Sequence, residues 1–476
     1  MADARSYLVA GRWAPGEDTF DVTSPFDGAV VARVGKPSQD DVEAAVAGAA
    51  EVFPETRRLP LHQRAEALIH ISQRLEERAG EVAEVIAREG GKPIKWAKVE
   101  AARAASTFRW AAEECRREGG EVMRLDTEAS LGSRLALVRR FPLGPVLGIA
   151  PFNFPVNLVA HKMAPALAVG APIVVKPATK TPLGALLLGE LFLETDLPEA
   201  MVSVLPIGGS EASKLALDDR FAKLTFTGSS QVGWELRRNN PKKAVTLELG
   251  GNAGVIVHSD GDIDLAAQRI AFGGYYQAGQ SCIAVQRVLV HDDVADNFVE
   301  RLVAEVGKLK TGDPMDADTD VGPLIDHDSL EKVSAWVDEA VQEGAEVLIG
   351  GKREDPFYLP TILTNTERRM KVRCEEIFGP VITCERYSSF EAALEQVNET
   401  RYGLQAGVFT KDIDRLFLAH RELEVGGVIA NDVSSFRADQ MPYGGTKDSG
   451  SGREGLRFAM EEMTEPRVLV LSNVPL

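Results

Sequence analysis

Cysteine is scarce: Cys115, Cys282, Cys374 and Cys384 are the only four in 476 residues. They lack the paired close spacing of a zinc site and the density of a disulfide scaffold, so no metal site is expected and a special cysteine must be chosen by its surroundings. No stretch of about eighteen apolar residues runs uninterrupted, which argues against a membrane-spanning helix. The opening Met1 to Ser6 is polar and lacks the apolar run of a signal peptide, so a cytoplasmic protein is expected. Blocks of like charge are missing too, and 53 Lys and Arg against 71 Asp and Glu leave a net charge of −18. Nucleic acid and anionic membrane are therefore not expected partners. There is no internal repeat and no low-complexity segment.

What is present is an ordinary globular composition, 44% hydrophobic and 26% charged, long enough for a large core and two or three domains. Leu61 to Glu89 carries apolar residues at helical spacing, broken at Ala79-Gly80 and ended at Gly90-Gly91. Strand-like runs at Arg134 to Phe141 and Pro145 to Ala150 follow. Short apolar strands then alternate with helices: Ile173 to Val175, Val202 to Leu205, Lys223 to Phe226, Ala244 to Glu248 and Gly254 to Val257, with a helix over Leu183 to Glu194. This grammar predicts an α/β fold with a parallel, doubly wound sheet. After Gly279 it repeats, which predicts a second α/β domain. The last apolar segment, Arg467 to Ser472, has no partner strand beside it in sequence and must pair with a distant segment or another subunit.

Four local patterns carry candidate chemistry. Cys282, in Gly279-Gln280-Ser281-Cys282, follows a small polar turn that could hold a thiol exposed and nucleophilic; the other three cysteines read as packing residues. Glu248 ends an apolar strand before Gly250-Gly251, either as a desolvated base or as a buried carboxylate satisfied by backbone amides. Asn153 sits in Pro151-Phe152-Asn153-Phe154-Pro155, where prolines aim its amide toward an oxyanion, unless it merely forms a turn. Phe226-Thr227-Gly228-Ser229 joins a strand to a helix start, a weak pyrophosphate-binding signal.

Together with Glu375-Glu376-Ile377-Phe378-Gly379-Pro380 and Met441-Pro442-Tyr443-Gly444-Gly445, these motifs resemble the aldehyde dehydrogenase superfamily, in family order from about residue 8 to 470. The 34 positions from Glu248 to Cys282 match as well. The resemblance implies the aldehyde dehydrogenase fold: a Rossmann-like cofactor domain (1–123 and 143–248), an α/β catalytic domain (249–448) and a small β oligomerisation element (124–142 and 449–476), assembling as a homodimer or homotetramer. It implies Cys282 as nucleophile, Asn153 and the Cys282 backbone N–H as oxyanion donors, and Glu248 as the base that hydrolyses a thioester. For the NAD(P) cofactor it implies Gly228 and Ser229 near the pyrophosphate, Lys176 on the adenosine ribose and Glu376 on the nicotinamide ribose. Phe378, Ile149, Gly233, Trp234 and Leu249 complete that groove. Thr179 stands where strongly NAD-selective relatives place a glutamate; with Lys176 and Lys180 nearby, NADP should be accepted as well as NAD, the preference between the two staying open.

The same resemblance places Phe154, His161, Ser281, Ile283, Phe436 and Arg437 around the substrate, with Arg109 bordering the tunnel mouth and Arg287 in a structural ion pair. An Arg there favours a small polar or anionic aldehyde such as lactaldehyde, glyceraldehyde, a semialdehyde or a phosphonoaldehyde. Against this, Arg437 could pair with Asp439 and face away. The alternatives are an aromatic or medium-chain aliphatic aldehyde stacking on Phe154, Tyr443 and Phe436, or an inactive binding homologue.

Overall fold

The structure, a computed structural model, describes residues 4–473. Residues 1–3 of the polar opening and 474–476 of the expected oligomerisation element lie outside the described residues. The helical region from Leu61 is two helices, Leu61–Glu77 and Ala79–Gly90, and Gly91 stops the second with φ of 67°, a left-handed conformation that costs glycine little.

The larger sheet has eight strands. Its parallel core runs, in spatial order, Val202–Val204, Ile173–Lys176, Val146–Ile149, Lys223–Thr227 and Ala244–Glu248. The first of these in the chain, Val146–Ile149, lies in the middle, so the chain winds to one side and then to the other. A crevice therefore opens beyond the strand ends at Ile149 and Thr227, the usual ligand site of such a sheet. Antiparallel Tyr7–Val9 and Gly450–Ser451 flank this core. Ile173–Lys176 and Val146–Ile149 are buried throughout, as strands covered on both faces must be.

A second sheet of seven strands is parallel except at Glu346–Ile349 and holds Val285–His291 beside Ala253–Val257 and Val381–Tyr387 near its centre. Cys282 comes just before Val285–His291, so this sheet carries the thiol while the first carries Asn153 and Glu248. One helix the apolar pattern does not reveal, Asn157–Val169, follows the Asn153 turn, and every residue in it is buried.

The segment Thr464–Ser472 finds its partner within the chain. It pairs antiparallel with Arg134–Pro142, which also pairs with Glu121–Arg124. Val468, Leu469 and Val470 on this edge strand remain exposed. Among the described residues no helix is long and apolar enough to cross a membrane.

Candidate active site

The turn carrying Asn153 is held from behind. Glu100, on the helix Ile94–Arg116, accepts hydrogen bonds from the backbone N–H of Val156 (3.0 Å) and Asn157 (3.2 Å), satisfying two otherwise unpaired donors at a helix start. Buried Lys92 pairs with Glu100 and lies 3.9 Å from the centre of the Phe154 ring. With the turn so fixed, Asn153 Nδ2 donates to Gln280 O at 3.0 Å, and Gln277 Nε2 donates back to Asn153 O. The first bond uses one of the two amide N–H groups. Gln277 and Ala278 adopt φ of 53° and 54°, left-handed values costly for residues with a Cβ. Strained backbone thus ties the cysteine loop to the asparagine.

Glu248 ends its strand inside the protein, and neither carboxylate oxygen has a hydrogen-bond partner among the described residues. The alternative of a carboxylate satisfied by amides is not what forms. Burial, and next the charge of Glu454, pushes its carboxyl well above the usual range. Cys282 is partly buried rather than exposed, and its Sγ lies 3.0 Å from the Tyr443 hydroxyl. Burial raises the thiol to about 12, with the Tyr443 contact opposing that rise. Asn153, Glu248 and Cys282 all face one cavity of about 290 Å³ between the two sheets. A thiol, a desolvated carboxylate and an amide around one space are the groups required for acyl transfer through sulfur.

Two glycines make this convergence possible. A methyl group on Gly251 would strike the Cys282 carbonyl, and one on Gly250 would enter the Glu376 carboxylate.

Behind this wall lies a layer of charge. Arg437 does reach the cavity, but it pairs with Glu454 at 3.0 Å rather than with Asp439, and its guanidinium stacks 3.8 Å over the Tyr443 ring. Glu454 also binds buried Lys162 at 3.2 Å. Asp439 instead holds Arg103 at 2.7 Å and His161 at 3.0 Å. His161 is therefore not a tunnel residue. It is enclosed between Asp439 and Arg437, and burial followed by the Arg437 charge lowers its pKa.

Other expectations about the substrate wall divide. Phe154, Ser281 and Ile283 line the cavity. Phe436 does not; it is 46% exposed. Arg109 also points to solvent, and Arg103, six residues earlier on the same helix, lines the cavity in its place. Arg287 makes no ion pair among the described residues: it donates to the carbonyls of Asn252, Gln396 and Val397. Lys162, Glu454 and Arg103 were not singled out from sequence.

On the cofactor side, Gly228, Ser229, Leu249, Glu376 and Phe378 line the same cavity. Ser229, Glu376 and Trp234 border an adjoining one. Ser229 caps the helix Ser230–Asn239. Glu376 Oε1 accepts from Gly251 N at 2.9 Å, and burial raises its carboxyl to about 7. Ile149, Lys176 and Phe226 lie side by side at the crevice, paired Ile149 to Lys176 and Ile149 to Phe226. Gly233 lets the Leu249 side chain pack where a Cβ would stand. Thr179 is exposed, and Lys180 is engaged in an ion pair with Asp326.

Residues 13–469 match the aldehyde dehydrogenase family. The chain is 42% identical over 465 residues to a 3-sulfolactaldehyde dehydrogenase of Priestia megaterium, covering 98% of this chain and 97% of that one. It superposes on aldehyde dehydrogenase 21 from Physcomitrella patens, solved with its reaction product succinate, with a TM-score of 0.98 and 42% identity over 100% of this chain and 99% of that one. A glyceraldehyde-3-phosphate dehydrogenase from Methanocaldococcus jannaschii, solved with NADP, gives a TM-score of 0.92 and 36% identity over 96% of this chain and all of the other. With identity of this extent across both sheets and the cavity between them, the chain belongs to the aldehyde dehydrogenase family.

Proposed function

We propose that the protein oxidises a small anionic or hydroxylated aldehyde to its carboxylic acid, with NADP or NAD as hydride acceptor. The observation that carries this reading is the cavity itself, which gathers Cys282, Glu248 and Asn153 with two guanidinium groups, Arg103 and Arg437. Cys282 Sγ, as thiolate, bonds to the aldehyde carbon. The charge that develops on the aldehyde oxygen is held by the Asn153 amide and the Cys282 backbone N–H. When bound, the nicotinamide accepts the hydride that leaves this carbon. The acyl group is then a thioester on Cys282, and Glu248 takes a proton from water to release the acid. Two oxygens without protein partners suit a base whose partner is a transient water.

The crevice residues fit the cofactor. Ser229 opens a helix whose free N–H groups suit a pyrophosphate, and Lys176 and Thr179 offer a cation and a hydroxyl where a carboxylate would repel a 2′-phosphate. Lys180, drawn to Asp326, contributes less, and NADP acceptance rests on the other two. The relatives named above handle a sulfonated, a carboxylated and a phosphorylated molecule, which supports an anionic substrate tail. The cofactor, catalytic and oligomerisation units are assigned near the boundaries expected from sequence, with two shifts, Gly450–Ser451 joining the cofactor sheet and Glu121–Arg124 the oligomerisation sheet. The exposed Val468, Leu469 and Val470 form the contact of a homodimer or homotetramer.

The test follows reduced-coenzyme absorbance over anionic, hydroxylated, aromatic and aliphatic aldehydes, each with NAD and NADP. Anionic aldehydes should be preferred. Arg103→Gln should raise their KM about 10- to 100-fold, the value of one hydrogen bond to a charged group, and leave neutral aldehydes unaffected. Equal use of aliphatic aldehydes would remove the tail assignment; turnover by Cys282→Ala would remove the mechanism.

A further inference from the structure

Tyr443 is placed with more care than a wall residue needs. Its backbone forms an antiparallel bridge with Glu454, with Tyr443 N donating to Glu454 O at 3.0 Å and Glu454 N to Tyr443 O at 2.7 Å. Both side chains then engage Arg437: the Glu454 carboxylate at 3.0 Å, and the Tyr443 ring face with the guanidinium carbon 3.8 Å above its centre. The ring is 4% exposed, and its hydroxyl lies 3.0 Å from Cys282 Sγ. The ring is thus clamped between a paired cation and the sulfur.

We propose that Tyr443 is a catalytic residue: its hydroxyl donates a hydrogen bond to the Cys282 sulfur and stabilises the thiolate, while Arg437 on the ring face fixes and strengthens that donor. This rests on the reading of Cys282 as the nucleophile. A thiolate can only accept, so once it forms, the phenol must be the donor, and the bond becomes charge-assisted. The proton that leaves sulfur passes to Glu248 or water; Tyr443 keeps its own. Burial, then the neighbouring sulfur, raises its hydroxyl well above the ordinary phenol value, so it does not compete as an anion. A cation over the ring withdraws electron density from the oxygen and makes the O–H a better donor.

Tyr443→Phe keeps the ring and its stacking on Arg437 and removes only the donor. The purified full chain is alkylated with iodoacetamide across the neutral-to-alkaline range, with modification at Cys282 followed by peptide mapping. The variant should react about tenfold more slowly below the inflection, which moves to higher pH, and kcat should fall while coenzyme affinity holds. Replacing Tyr443 with 3-fluorotyrosine, a more acidic phenol of nearly the same shape, should move the inflection to lower pH and serves if the phenylalanine variant fails to fold. A pH profile that superimposes on the wild type in either variant overturns the proposal. If Cys282→Ala still turns over, the nucleophile reading fails instead, so the two failures are distinct.

Discussion

Two walls of one cavity treat polar groups in opposite ways. On the reactive wall, both Glu248 oxygens and Asn153 Oδ1 are buried without partners. Among the charged groups beside it, Glu454 pairs with Lys162 and Arg437, and Asp439 with Arg103. His161 Nε2 lies between, able to donate to Asp439 or accept from Arg437 but not both. Arg103 Nε, Arg437 Nε and His161 Nδ1 are left unpaired among the described residues, yet each of these side chains keeps at least one partner. Burial without a partner costs about 1–3 kcal/mol per group, and Glu248, with neither oxygen paired among the described residues, bears that cost twice, as suits a carboxyl whose partner is a transient water. Lys162, His161 and Asp439 stand behind the cavity as scaffold, whereas Arg103 and Arg437, though paired, still reach the space kept for substrate and water. Burial opposes the Glu454 carboxylate as it does Glu248, yet Lys162 and Arg437 hold Glu454 below the ordinary range while Glu248 rises above it. Two buried carboxyls of one cavity differ in charge because only one has cations in contact.

Glu248→Gln probes the unpaired wall with the largest expected effect. Steady-state turnover should fall about 100- to 10,000-fold, with one burst of reduced coenzyme before the stall. Stopped-flow absorbance checks both. Because its pKa is raised, the ionised, basic fraction of wild-type Glu248 keeps growing as pH climbs past the usual carboxylate range. Thioester hydrolysis should therefore accelerate toward alkaline pH, and the Gln variant should lose that limb. Glu454→Gln probes the paired layer: removing the shared anion leaves Lys162 and Arg437 buried without it and should cost about 3–5 kcal/mol in chemical denaturation. An unchanged midpoint would show the layer to be no scaffold. Asn153→Ala should lower kcat about 100- to 1,000-fold with little change in stability; a large stability loss instead would move Asn153 from the reactive wall to the scaffold.

The same contrast explains what could be read without the structure. The strands between Ile173 and Val257, and the helix from Leu183, were legible because short apolar runs bounded by turns alternate with a longer one. Asn157–Val169 was not: with all thirteen residues buried it has no polar face and hence no period. Asn153, Glu248 and Cys282 each sit in a distinctive local stretch. Arg103, Lys162 and Glu454 are brought together from 103 to 454 only by folding, and no local pattern marks Arg103 or Glu454. Lys162 did leave a signal, a lysine amid Leu-Val-Ala-His and Met-Ala-Pro-Ala, which demands a buried anion. His161 and Phe436 were misplaced because a family position gives a neighbourhood, not the direction of a side chain.

Gly250 and Gly251 have a consequence for how such a protein can diversify. At Gly250 the added methyl meets the far end of the Glu376 side chain, which can swing aside, but at Gly251 it meets the Cys282 backbone carbonyl, so the backbone that carries the thiol has no room to drift. Changes of substrate must therefore be written elsewhere, at side chains such as Ser281, Ile283 and Arg103 that line the same space and can be exchanged without moving the backbone that aligns the thiol.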